Sequence, residues 1–126
     1  MNALTAEWVE KAEGDYATAG RELRARRRPN YDATCFHAQQ TAEKYLKAFL
    51  HEHGVNFPKT HSLIELLELC LPLDASFELR RDLLILIDRY AVQYRYPGES
   101  ADRAEARQAF HAATDFREFA RAKLGV

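Results

Sequence analysis

Apolar residues recur along the chain at helical spacing, and nowhere do they alternate with the period of two that marks a strand. The first stripe joins Trp8, Val9, Ala12, Tyr16, Ala19 and Leu23 within an arc of roughly 100°. It predicts a helix from about Thr5, the expected N-cap, to Arg26. Arg28-Pro29-Asn30 breaks it, because proline disfavours helix in the residue before it. A second helix starts near Tyr31 or Asp32 and ends before Gly54. Its seam is Cys35, Ala38, Ala42, Tyr45, Leu46 and Phe49, and the two alanines admit a neighbouring helix at close range. Gly54 to Pro58 reverses the chain.

A short third helix is expected from about Thr60 to Cys70. Ser62 and Glu65 stand at capping-box spacing, and Thr60 competes as the cap. The fourth helix reads from Asp74 or Ser76 to Tyr94. Its apolar set (Leu79, Leu83, Leu84, Leu86, Ile87, Tyr90, Ala91, Tyr94) is wider than one core face requires, so the helix is either central or presents a dimer contact. Tyr96 to Ser100 forms a turn, with Ser100 as the expected cap of the last helix. That helix carries the stripe Ala106, Ala109, Ala113, Phe116, Ala120 and Leu124. The pattern predicts an all-α chain, an antiparallel up-and-down four-helix bundle with one additional short helix.

Composition narrows the picture. At 126 residues the chain is expected to be one domain, 1–126, with 47% hydrophobic residues. No apolar run reaches the roughly 20 residues of a membrane span. The first residues do not have the layout of a secretory signal, and Cys35 and Cys70 lie at apolar positions; a reduced, cytoplasmic protein is the expectation. A net charge of -1 argues against a dedicated binder of duplex nucleic acid.

Three stretches have chemical potential. Gln40, Glu43 and Lys47 share a polar stripe with Lys44 beside it. It reads as a ligand surface or as a solvated face with an i,i+4 ion pair worth about 0.3 kcal/mol. Arg89-Tyr90-Ala91-Val92-Gln93-Tyr94-Arg95-Tyr96-Pro97 concentrates arginines for phosphate and tyrosines for base stacking at one helix end. The alternative there is a dipole-complementing Arg95 and tyrosines that fill the end of the core. Arg21 to Arg28 is strongly basic; it reads as a phosphate contact or, with more weight, as a solvated helix end that complements the dipole. His61 is a polar tether or a site residue. The histidines lack metal-ligand spacing and there is no Cys-x-x-Cys, so no metal and no cofactor are expected.

The segments Trp8 to Tyr16, Phe36-His37-Ala38-Gln39-Gln40-Thr41-Ala42-Glu43-Lys44-Tyr45-Leu46-Lys47-Ala48, Thr60-His61-Ser62-Leu63 with Leu66-Leu67, and Arg95-Tyr96-Pro97 occur in one order across nearly the whole chain. In this the chain resembles the HEPN domains, small prokaryotic helical proteins often encoded beside a minimal nucleotidyltransferase. The resemblance implies a homodimeric helical bundle associated with nucleotide or RNA binding, and often with ribonuclease toxins of toxin–antitoxin modules. Catalytic members carry an arginine and a histidine with four to six residues between them: the histidine for proton transfer, the arginine for transition-state charge. Here Tyr94, Arg95 and Tyr96 follow Arg89 at that distance, and no histidine lies between Arg89 and His111. The resemblance, with that motif absent, implies a binding partner of a nucleotidyltransferase with no catalytic residues. Its expected nucleotide or RNA contacts are Arg95, Tyr94, Tyr96, Arg89, Lys44, Lys47, Gln40 and His61. The alternatives are a metal-independent ribonuclease with a rearranged site around Arg95, using His37 or His61, and a purely structural dimerisation module.

Overall fold

The computed structural model describes residues 1–126. It is all-helical: α1 (Ala3–Arg24), α2 (Tyr31–Glu52), α3 (Leu63–Cys70), a 3₁₀ turn (Ala75–Arg80), α4 (Arg81–Gln93) and α5 (Arg103–Leu124). No helix is long and apolar enough to cross a membrane.

α2 is the centre of the core. Its whole expected seam, from Cys35 to Phe49, is buried. The alanines at α1 (Ala12), α2 (Ala38, Ala42) and α5 (Ala109, Ala113) are fully buried, and that absence of side-chain bulk lets three helices approach closely. Toward the C-terminal ends of α2 and α5 the small residues give way to phenylalanines: Phe77 lies 4.6 Å from Phe49 and 4.9 Å from Phe119, ring centre to ring centre. Cys35 and Cys70 are free and buried, and burial pushes both thiols up to about 12.

The helix ends differ from the sequence reading, each time through a competing cap. Asn2, not Thr5, caps α1 by accepting from the Thr5 backbone N–H at 2.8 Å; Thr5 is buried in the first turn. α1 stops at Arg24, two residues early. Ser62 caps α3 by accepting from Glu65 N–H, and the Thr60 hydroxyl instead donates to the Glu65 carboxylate. The expected Asp74–Tyr94 helix is divided. Asp74 accepts from the Ser76 backbone and hydroxyl at 3.0 and 2.6 Å, which tightens the chain into a 3₁₀ turn that drives Phe77 into the core. Asp102, not Ser100, caps α5 in a reciprocal capping box with Glu105. Ser100 is left outside because Ala101 N–H is tied to Asp32 at 2.7 Å.

The wide apolar set of the fourth helix is resolved by depth. Leu84, Ile87, Ala91 and Tyr94 are buried and Leu83, Leu86 and Tyr90 half-buried, but Leu79, displaced into the 3₁₀ turn, is exposed; Ile85 and Val92, outside the expected set, also face solvent.

Candidate functional site

The polar stripe of α2 is not a solvated face. Glu43 is 3% exposed and Lys47 8%, and Gln39, one helical turn before Glu43, is equally buried. Trp8 of α1 and Phe57 of the α2–α3 loop cover Lys47, whose ammonium lies 5.7 Å from each ring centre. The expected ion pair does form, with Lys47 Nζ donating to Glu43 Oε2 at 3.1 Å, but in a dry setting where the loss of one partner matters far more than it does at a surface.

From this pair the network runs outward. Glu43 Oε1 faces His61 Nδ1 at 3.1 Å. Gln39 Nε2 donates to the His61 backbone carbonyl at 2.6 Å and approaches Asp88 Oδ1 of α4 at 3.4 Å. Gln40 Nε2 donates to Gln39 Oε1 at 2.9 Å, which fixes the amide's orientation. Asp88 Oδ2 accepts from the first N–H of α3, Leu63, at 2.9 Å, so one carboxylate ties α4 to both α2 and α3. Burial raises the Asp88 carboxyl above the ordinary aspartate value, against the opposing pull of the Leu63 N–H and Gln39.

Over this floor opens a cleft of about 330 Å³ lined by Gln39, His61, Ser62, Asp88, Ala91, Val92 and Arg95. Two expected site residues, His61 and Arg95, therefore meet although they are far apart in the chain. The His61 side chain is 79% exposed, held on its Nδ1 side by Glu43. Arg95 is exposed and belongs to no ion pair; the paired arginines are Arg80, Arg81, Arg117 and Arg121.

The other expected contacts fall elsewhere. Lys47 is taken up by Glu43, and Gln40 supports Gln39 without lining the cleft. Lys44 pairs with Asp15 of α1 at 2.5 Å, and Asp15 also holds His37 at 2.8 Å; both belong to the α1–α2 junction. The Tyr94 ring is buried and its hydroxyl donates to Glu105, so it has no face to offer a base. That bond to a carboxylate raises the phenol. Tyr96 is exposed beside Arg95 but outside the cleft wall, and Arg89 lies exposed over the Tyr90 ring at 5.7 Å. Gln39 and Asp88 were missing from the expected contacts. Asp88 had a signal: it is a charge four residues after Leu84 and three before Ala91, on the buried side of an apolar helix. No three His, Cys, Asp or Glu side chains converge to hold a metal ion.

Fold and site together define a small all-α domain with a polar cleft between α2, α3 and α4. The HEPN domain family model matches residues 5–123, and the chain belongs to that family. The crystal structure of TT1696 from Thermus thermophilus is similar at a TM-score of 0.80 and 29% identity, over 94% of this chain and 97% of that one. No curated protein matches the sequence.

Proposed function

We propose that this HEPN domain binds a nucleotide, or one nucleotide of a single-stranded RNA, in the Gln39–Asp88–Arg95 cleft. Arg95 carries the reading: it is a guanidinium without a counter-ion at the mouth of a cleft whose floor offers an amide and a carboxylate. A guanidinium grips phosphate in a bidentate fork, and amide and carboxylate groups suit a sugar hydroxyl or a base edge. The family membership supports a minimal nucleotidyltransferase as the partner, in a toxin–antitoxin-like or regulatory module. The four long helices are read as an antiparallel up-and-down bundle with α3 as the additional short helix. The exposed Ile85, Val92 and Tyr96 supply an apolar strip for a homodimer contact. Titration calorimetry with ATP tests the cleft. Arg95→Ala should weaken binding by about 10–100-fold through loss of a charge-assisted contact of ~1.5–3 kcal/mol. Equal affinities for wild type and variant refute the assignment.

One observation favours a second reading, that of a metal-independent ribonuclease. His61 shares the cleft with Arg95, and its Nδ1 side is occupied by Glu43, which leaves Nε2 toward solvent. Such an imidazole is arranged to take the proton from a ribose 2′-hydroxyl. The oxygen then attacks phosphorus, the bond to the 5′ oxygen breaks, and that oxygen regains a proton. Arg95 is placed to neutralise the charge that develops. Metal-free protein incubated with a mixed RNA pool separates the readings. Cleavage lost in both Arg95→Ala and His61→Ala supports the enzyme, and intact RNA with wild type supports binding alone.

A further inference from the structure

Away from the cleft, Arg21, Arg24, Arg26, Arg27 and Arg28 fall within eight residues, opposed there by Glu22 alone. Complementing a helix dipole explains few of them. α1 ends at Arg24, so only Arg21 and Arg24 lie in its last turn. Arg26, Arg27 and Arg28 occupy a non-helical turn, and Arg28 has a φ of 47°, a left-handed conformation in which a side-chain-bearing residue is strained. The fold then brings Arg103 to the same place. It is the first residue of α5, at the positive end of that helix dipole, where a cation is disfavoured.

Leu23, Arg24, Arg26, Pro29, Tyr31 and Arg103 line a hollow of about 540 Å³. None of its arginines joins an ion pair. The neighbouring carboxylates are engaged elsewhere. Glu22 accepts from Asn30 N–H, Asp32 from Ala101 N–H and Asp102 from Glu105 N–H, while Glu105 accepts from Asp102 N–H and the Tyr94 hydroxyl. Gly20, inside α1, leaves the space in which the Arg24 guanidinium lies; a Cβ there would fall 2.8 Å from Arg24 Nη1. A cation at the wrong helix end works against stability, and Arg24, Arg26 and Arg103 together gather positive charge around one concavity.

We propose that this hollow is a second nucleic-acid contact that takes backbone phosphates of single-stranded RNA, with Tyr31 as a stacking surface for a base. It goes beyond the cleft and does not depend on it. Planar guanidinium groups match phosphate, and an aromatic beside them suits an unpaired base. A net charge of -1 confines such binding to a local patch of this kind.

The test is fluorescence anisotropy of a labelled oligouridylate across a salt series. Arg24→Ala/Arg26→Ala/Arg103→Ala is compared with wild type and with the corresponding triple lysine variant. All three positions are exposed, so the fold is retained, which the thermal melt checks. If each arginine meets one phosphate, the slope of log affinity against log salt becomes shallower by about 2 in the alanine variant and holds in the lysine variant. Calorimetry with ATP, run on the same alanine variant, remains at the wild-type value. A shallower slope in a protein that binds no ATP upholds this hollow and defeats the cleft reading. An unchanged slope with intact ATP binding does the reverse. A polyglutamate chain that binds as tightly as the RNA overturns RNA as the occupant.

Discussion

Replacing Glu43 by glutamine should loosen the protein and blunt its cleft together. The substitution preserves volume and removes one charge. Lys47, 8% exposed, then keeps its ammonium without a counter-ion. Removing one partner of a buried pair costs about 3–5 kcal/mol. Two terms offset this. The ammonium still faces the Trp8 and Phe57 rings, each worth about 0.5–1 kcal/mol, and the glutamine carbonyl can still accept from Lys47 Nζ. The expected net loss is about 2–3 kcal/mol. Urea unfolding at neutral pH reads it as a lower midpoint at unchanged slope. The companion is Lys47→Met, which with Glu43→Gln replaces both charges by neutral groups of similar shape. The double variant should recover most of the loss, with a coupling of about 2 kcal/mol. Because Glu43 also holds His61, the single variant should bind ATP more weakly even where it is fully folded. A loss below about 1 kcal/mol with no coupling would mean that the pair behaves as a surface ion pair, and the buried network could not be what holds the cleft in shape.

Tyr94→Phe should lower the urea midpoint, through loss of the Tyr94–Glu105 bond, yet leave ATP affinity unchanged; weakened binding would return Tyr94 to the site. Ala42→Leu should destabilise by about 1–3 kcal/mol or more, since the fully buried methyl faces tightly packed helices; a neutral result would disprove close packing at that seam. Asp88 gives a pH signature. Its raised pKa means that the native state holds this proton more firmly than the unfolded chain, so its contribution to stability falls as pH rises from about 4 through the raised value. Measured as urea midpoints, the wild-type-minus-Asp88→Asn difference should therefore decline over that interval. A flat or rising difference refutes the assigned direction.

The all-helical class was legible because every stripe repeats at helical spacing, and the α2 seam from Cys35 to Phe49 is buried as its pattern requires. The caps were harder. Asn2 and Asp102 won over Thr5 and Ser100, which stand within three residues of them and have the same chemistry; only distant contacts such as Asp32 to Ala101 N–H decide between neighbours of this kind. The polar stripe misled for a related reason. Periodicity shows that Gln40, Glu43 and Lys47 share a side of α2, but not that Trp8 and Phe57 arrive from other segments to cover it. Tyr94 was ambiguous in the sequence itself. It is seven residues after Ile87 and three after Ala91, the spacing of the buried stripe, and it is also one residue from Arg95. Burial prevailed. His61 and Arg95 share no local pattern, and their meeting across the α3 and α4 ends is a property of the tertiary fold alone.

The cleft's electrostatics constrain how a ligand would lie in the proposed mode. Its deep wall holds the Asp88 carboxylate, with the Glu43 carboxylate behind Gln39, and Lys47 neutralises only the latter. The unpaired cation is at the mouth, on Arg95. A phosphate placed against Asp88 would meet a like charge, worth about 3 kcal/mol of repulsion at roughly 6 Å with an effective dielectric constant near 20. The phosphate must therefore stay outward on Arg95, and a hydrogen-bond donor such as a ribose hydroxyl or an exocyclic amine must point inward to Asp88. Competition calorimetry distinguishes this orientation from its reverse. Adenosine and pyrophosphate should each displace bound ATP; Asp88→Asn should weaken adenosine and leave pyrophosphate unchanged, and Arg95→Ala should do the reverse. If pyrophosphate competes and adenosine does not, the ligand enters phosphate-first, and the floor formed by Gln39 and Asp88 has been given the wrong role.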